Sequence, residues 1–119
     1  MSCYLEEIFN LQDSLNSKFD LSQEQFLLLS EEDRLEWVNK FMVVMIGEAF
    51  EVQKACKARW WKQEKDFKGV DHIKEELVDC LHLLVSGMLA IGMSPQEVYI
   101  KYRDKNLHNS VRTDRKINE

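Results

Sequence analysis

The chain has one proline, Pro95, and four glycines in 119 residues. Sheets of short strands need a turn signal roughly every ten residues, and Gly and Pro supply most of them, so their scarcity leaves an all-α fold as the expected class. Cysteine is equally sparse. Cys3, Cys56 and Cys80 are odd in number and lack a C-x-x-C spacing, which excludes a disulfide framework or a zinc cluster and fits a reducing cytoplasm. Long apolar runs are missing too: the stretches near 41–50 and 81–91 fall short of the about 20 residues of a membrane span. The segment Met1-Ser-Cys-Tyr-Leu-Glu-Glu7 has no basic start followed by an apolar core, so neither export nor anchoring is expected. A surplus of positive charge is also absent. At a net charge of −5 and a pI near 5.3, a broad face for a nucleic-acid polymer is disfavoured.

What is present is a 45% apolar, 31% charged chain, the composition of an ordinary globular protein. Residues 1–119 read as a single domain, long enough to bury roughly two-thirds of the surface of the unfolded chain. The charge is unevenly spread. Residues 54–68 carry six Lys/Arg against two acids and residues 101–119 six against three, leaving −12 for the rest. Two basic segments in an acidic protein suit a small phosphorylated ligand better than a polymer.

Apolar spacing predicts four helices. The first runs from about Tyr4 to Lys18, with Leu5, Ile8, Phe9, Gln12, Leu15 and Phe19 at intervals of three and four. A looser stretch, Asp20 to Leu29, precedes Ser30-Glu-Glu-Asp33, an N-cap serine with acids where the helix dipole favours them. The second helix then extends from near Glu31 to about Trp60, and its middle, Phe41 to Ile46, is apolar on every side, as expected of a helix buried all round. Lys62 to Val70 reads as a polar linker. Asp71 is the expected N-cap of a third helix, about His72 to Ile91, ended by Gly92; Ser94-Pro95 opens a fourth, about 95 to 109, with a frayed tail after Arg112.

Two pairs of acids stand at the edges of the apolar stretches. Glu48 and Glu51 lie at i, i+3 on the second helix, and Glu76 and Asp79 at i, i+3 on the third. Single pairs of this kind are common solvated decoration, but these helices are too apolar to be surface helices. Gathering like-charged carboxylates on them without a cation costs several kcal/mol and forces some to take up protons. A divalent ion removes that penalty, and oxygen-only donors point to Mg²⁺, with Mn²⁺ as the other choice, not to zinc. An antiparallel hairpin of the two helices brings the pairs together. A di-iron bundle would need two Glu-x-x-His motifs, and the chain offers only Asp79-x-x-His82. His82 reads as a core or supporting histidine, and His72 and His108 as helix-end residues.

The pairing of Glu48-x-x-Glu51 with Glu76-x-x-Asp79, the latter inside Lys74-Glu-Glu-Leu-Val-Asp-Cys-Leu-His-Leu-Leu-Val85, resembles the all-α nucleoside triphosphate pyrophosphatases, the superfamily of MazG and the dimeric dUTPases. Leu11-Gln-Asp-Ser-Leu-Asn16 and Tyr102-Arg-Asp-Lys-Asn106-Leu-His-Asn109-Ser-Val-Arg112 resemble the dUTPase branch, the second matching its Y-x-x-K-N-x-x-N-x-x-R. After Arg112 that branch continues with Gln and then Gly-Tyr, whereas this chain has Thr113-Asp-Arg-Lys-Ile117.

The resemblance implies a four-helix bundle around a central antiparallel hairpin, with Glu48, Glu51, Glu76 and Asp79 as Mg²⁺ ligands and Glu51 also orienting the attacking water. It implies that Gln12 and Asn16 read the base, that Trp61 lies against it, and that Lys62, Lys105, Asn109 and Arg112 take the phosphate side. The implied reaction converts a (d)NTP, with dUTP the best single substrate, to the monophosphate and pyrophosphate. The rival reading is a non-catalytic helical interaction protein with a degenerate metal site. Because the apolar hairpin exceeds what two amphipathic helices can cover, a second copy is expected to bury its other side. The resemblance implies a homodimer or homotetramer, and neither a nucleic-acid polymer nor a membrane is expected as partner.

Overall fold

The computed structural model describes residues 3–56 and 68–118, and every regular element among them is a helix. In chain order these are α1 (Tyr4–Ser17), α2 (Gln23–Leu27), α3 (Glu31–Ala55), α4 (Val70–Ile91) and α5 (Pro95–Asn118). Local chemistry sets the starts. Ser30 Oγ accepts from Asp33 N at 3.1 Å and Ser94 Oγ from Glu97 N at 3.1 Å, each relieving one unpaired amide of a first turn. Gly92 ends α4 in the left-handed conformation at φ 94°, where a side chain would be strained.

Four boundaries differ from the sequence reading. The supposed loose stretch contains α2, opened by a capping box in which Ser22 and Gln25 exchange side-chain to backbone bonds. α3 ends at Ala55 with Cys56 as its C-cap, short of Trp60; residues 57–67 lie outside the described part. α4 begins one turn-fraction early, capped by Gly69 at φ 97° instead of by Asp71, so Asp71 sits inside the first turn and still favours the positive end of the helix dipole. α5 continues past residue 109 to Asn118, since no Gly or Pro follows Pro95 to stop it.

α3 and α4 make the principal contact and run antiparallel. Arg34 lies beside Gly92, Met42 beside Gly87, and Glu48 beside Glu76 and Asp79, so advancing along one helix means retreating along the other. Gly87 faces Met42 at this contact: a Cβ there would stand 3.0 Å from Met42 Cε, the flexible end of that side chain. α1 crosses α4, burying Phe9 against Val85 and Leu89, with Leu5, Met88 and Val98 at the margin.

The short α2 seals the other end of the hairpin. Its Phe26 is 1% exposed and meets Trp37 and Phe41 of α3 edge-on, with ring centroids 5.9 and 6.2 Å away. Gln23 Nε2 donates to the carbonyls of Leu89 at 3.3 Å and Met93 at 2.9 Å, tying α2 to the turn that ends α4; Leu89 O also accepts from Gly92 N at 3.1 Å.

Two features bear on assembly. The middle of α3 is not buried all round within one chain: Val43, Val44 and Ile46 are 52–66% exposed, as are Leu77 and Val78 of α4 at 52–54%. α5 turns 107° away from α4, and every residue from Lys101 to Ile117 is exposed. Among the described residues, no single helix is long and apolar enough to cross a membrane.

Candidate functional site

The hairpin register places Glu48 of α3 opposite Glu76 and Asp79 of α4. One carboxylate oxygen from each of the three lies within 4.8 Å of the other two. Glu48 and Glu76 are half-buried and Asp79 is exposed, so the cluster sits in the wall of the hairpin with one side open. Partial burial raises the Glu48 carboxyl above the ordinary glutamate range, and the charges of Glu76 and Asp79, a hydrogen bond with Glu76 and the charge of Glu51 push it further. Repulsion among fixed acids is the electrostatic state that a bound cation reverses. Three convergent carboxylates supply only hard oxygen donors, so the site fits Mg²⁺ or Mn²⁺ and not a thiolate- or imidazole-seeking metal.

Glu51, one turn beyond Glu48, stands outside this trio. Its Oε1 lies 3.6 Å from Lys54 Nζ, and both side chains are about half exposed. His72, read from sequence as a helix-end residue, puts Nε2 3.2 Å from Glu76 Oε1 and so steadies that carboxylate from one turn upstream. An i, i+4 His/Glu spacing was the available signal.

Gln12 and Asn16 are buried, at 7% and 8% exposure, so they are not surface polar residues. Gln12 Nε2 donates to Asn16 Oδ1 at 2.9 Å, and Asn16 Nδ2 donates to Ser86 Oγ at 3.2 Å. The Ser86 hydroxyl donates to His82 O at 2.8 Å, and His82 Nδ1 meets Gln12 Oε1. Sequence reasoning gave His82 only a supporting place and passed over Ser86. The signal was a matched pair of i, i+4 polar residues on two apolar helix faces.

Glu76, Asp79, His82 and Ser86 fall on one broad face of α4. At about 1.5 Å of rise per residue, Asp79 and Ser86 are separated by roughly 10 Å along the axis. Acids and amides therefore line one continuous strip.

The remaining residues singled out from sequence are not gathered there. Trp61 and Lys62 lie outside the described residues. Lys105, Asn109 and Arg112 occupy the exposed stretch of α5 beyond Ile100, a helix whose main contact is with α1 through its inner end.

Comparison with known proteins accords with this arrangement. The family model described as dUTPase matches residues 4–101, which takes in the carboxylates, the amides and the hairpin. The chain belongs to the dUTPase family. It is also 31% identical over 86 residues to the dCTP pyrophosphatase of Enterobacteria phage T4, covering 61% of this chain and 50% of that protein. The chain thus spans about half the length of this curated relative. No solved structure matches it significantly.

Proposed function

We propose that this dUTPase-family chain is a divalent-metal-dependent nucleotide pyrophosphatase, hydrolysing a (d)NTP to the monophosphate and pyrophosphate. The observation that carries the reading is the convergence of Glu48, Glu76 and Asp79 on one side of the hairpin, beside a buried amide network on the same face of α4. In this reading the three carboxylates and Glu51 hold Mg²⁺ or Mn²⁺, which when bound neutralises triphosphate charge and makes the α-phosphorus more electrophilic. Glu51, outside the tight trio, orients the water that attacks. Gln12 and Asn16 take the base edge, and Trp61 lies against its plane. Lys62 with Lys105, Asn109 and Arg112 neutralises the phosphates that the acids would otherwise repel.

The family match favours dUTP as substrate, and the phage relative's name makes dCTP the closest competitor. Because α5 projects from the chain that carries it, Lys105, Asn109 and Arg112 are assigned to a site completed by a neighbouring copy in a homodimer or homotetramer. The test is a pyrophosphate-release panel over dUTP, dCTP, dTTP, dATP, dGTP and the ribonucleotides, with and without Mg²⁺. Metal-dependent release from one pyrimidine deoxynucleotide above the rest is expected. No release from any of them would instead favour a helical interaction protein with a degenerate site.

A further inference from the structure

The four side chains Gln12, Asn16, Ser86 and His82 form more than a list of contacts, because their hydrogen bonds have a direction. A backbone carbonyl only accepts, so the single hydroxyl proton of Ser86 is committed to His82 O, 2.8 Å away. Toward Asn16, 3.2 Å away, Ser86 Oγ therefore only accepts, and Asn16 must turn its Nδ2 to the serine and its Oδ1 to Gln12. Asn16 Oδ1 then takes a proton from Gln12 Nε2 at 2.9 Å, which leaves Gln12 Oε1 facing His82 Nδ1. An acceptor on Gln12 requires a proton on that nitrogen. The neutral imidazole of His82 is accordingly the Nδ1–H tautomer, set through three side chains by one bond to the helix backbone.

We propose that Ser86 and His82 are positioning residues that lock which way round the Gln12 and Asn16 amides face, and that this lock makes the site discriminate between uracil and cytosine. The inference rests on the assignment of Gln12 and Asn16 to the base. Each amide keeps one N–H and one lone pair outside the relay, so a bound base meets donors and acceptors in a fixed order. Uracil presents an acceptor at position 4 and a donor at N3, and cytosine the reverse. An amide free to rotate serves both patterns, whereas a locked amide leaves one of them with like groups opposed and unpaired. Ser86 is 2% exposed and Asn16 8%, so water does not readily replace a lost partner inside the relay.

Two measurements test this. In ¹⁵N-labelled protein at a pH well above the ordinary imidazole range, the His82 ring, assigned by the signal missing from His82→Asn, is expected to show a protonated Nδ1 and a bare Nε2. A protonated Nε2 with bare Nδ1 overturns the relay whether or not any nucleotide is hydrolysed, so its failure is separable from failure of the pyrophosphatase reading. In parallel, the ratio of kcat/KM for dUTP and dCTP is compared across variants. Ser86→Ala, with only a hydroxyl removed, is expected to bring the ratio at least about tenfold nearer to unity with unchanged metal dependence. His82→Asn, whose amide nitrogen can stand where Nδ1 stands, is expected to retain the preference. His82→Gln, whose nitrogen stands nearer the Nε2 position, is expected to lose it. A Ser86→Ala protein that folds and keeps the wild-type ratio, or equal ratios in the two His82 variants, overturns the selectivity role.

Discussion

Glu48 on α3 and Glu76 on α4 face each other closely enough across the hairpin for their carboxyls to share a hydrogen bond, and such a bond needs a proton on one of them. Burial and the charge of Glu76 both raise the Glu48 carboxyl, with Asp79 and Glu51 adding to the effect. A group that holds its proton more tightly folded than unfolded makes stability fall as pH rises. The window lies between the ordinary glutamate value of 4.5 and the raised value of Glu48. Metal-free protein in EDTA is therefore expected to lose stability as pH is raised from about 4.5 toward neutrality, as far as this group is concerned. Glu48→Gln should flatten that part of the profile, as should millimolar Mg²⁺ at neutral pH. Thermal melts across pH, with and without metal, check it; a Glu48→Gln profile parallel to wild type would mean that the acids do not repel one another.

The same acids should be indispensable to turnover. Glu48→Gln or Asp79→Asn is expected to abolish pyrophosphate release, with folding intact or improved because one repelling charge is gone. Loss of a metal ligand normally costs at least about tenfold, so retention of more than about a tenth of wild-type activity by both variants would exclude them from the metal shell.

The hairpin and the meeting of Glu48 with Glu76 and Asp79 were legible in the sequence because both rest on short-range pattern, whereas the expected place of Glu51 beside them was not met: its carboxylate lies by Lys54, outside the trio. Glu48 and Glu51, like Glu76 and Asp79, share a helix face by spacing alone, and two helices with apolar interiors have few ways to pack other than against each other. α2 was not legible, because five residues are too few to display a helical period and its place is fixed by Phe26 reaching Trp37 and Phe41. The extension of α5 was missed for the opposite reason. Its outer half has no buried face, so apolar spacing carries no signal there, and only the absence of a stop distinguishes it from a frayed tail. The relay through Ser86 depends on how α1 crosses α4, which spacing along either helix does not contain.

Phe26 gives the clearest stability test. It is almost wholly buried in an aromatic cluster that ties α2 to α3, and α2 in turn holds Gln23 against the end of α4. Phe26→Ala is expected to cost about 3–5 kcal/mol by cavity formation and lost contacts. Denaturant melts measure this directly, and Leu28→Ala, two residues on and 83% exposed, should cost far less.

The exposed apolar side chains of the hairpin carry the last prediction. Val43, Val44 and Ile46 on α3 and Leu77 and Val78 on α4 are each more than half exposed, a large apolar area for one chain to leave in water. A second copy covering it would form an isologous interface in the range of about 1,200–2,000 Å² or more. Light scattering at micromolar concentration is expected to give a multiple of 14.1 kDa, and Ile46→Glu to shift it downward. If the neighbour's α5 completes the site, two inactive proteins should rescue each other. Glu48→Gln loses the acid of its own site, and Arg112→Ala the cation it lends. A randomly mixed dimer population holds half heterodimers with one intact site of two, so mixing should restore about a quarter of wild-type activity. A stable, active monomer would show that no partner is needed, and an oligomer without rescue would confine Arg112 to the chain that carries it.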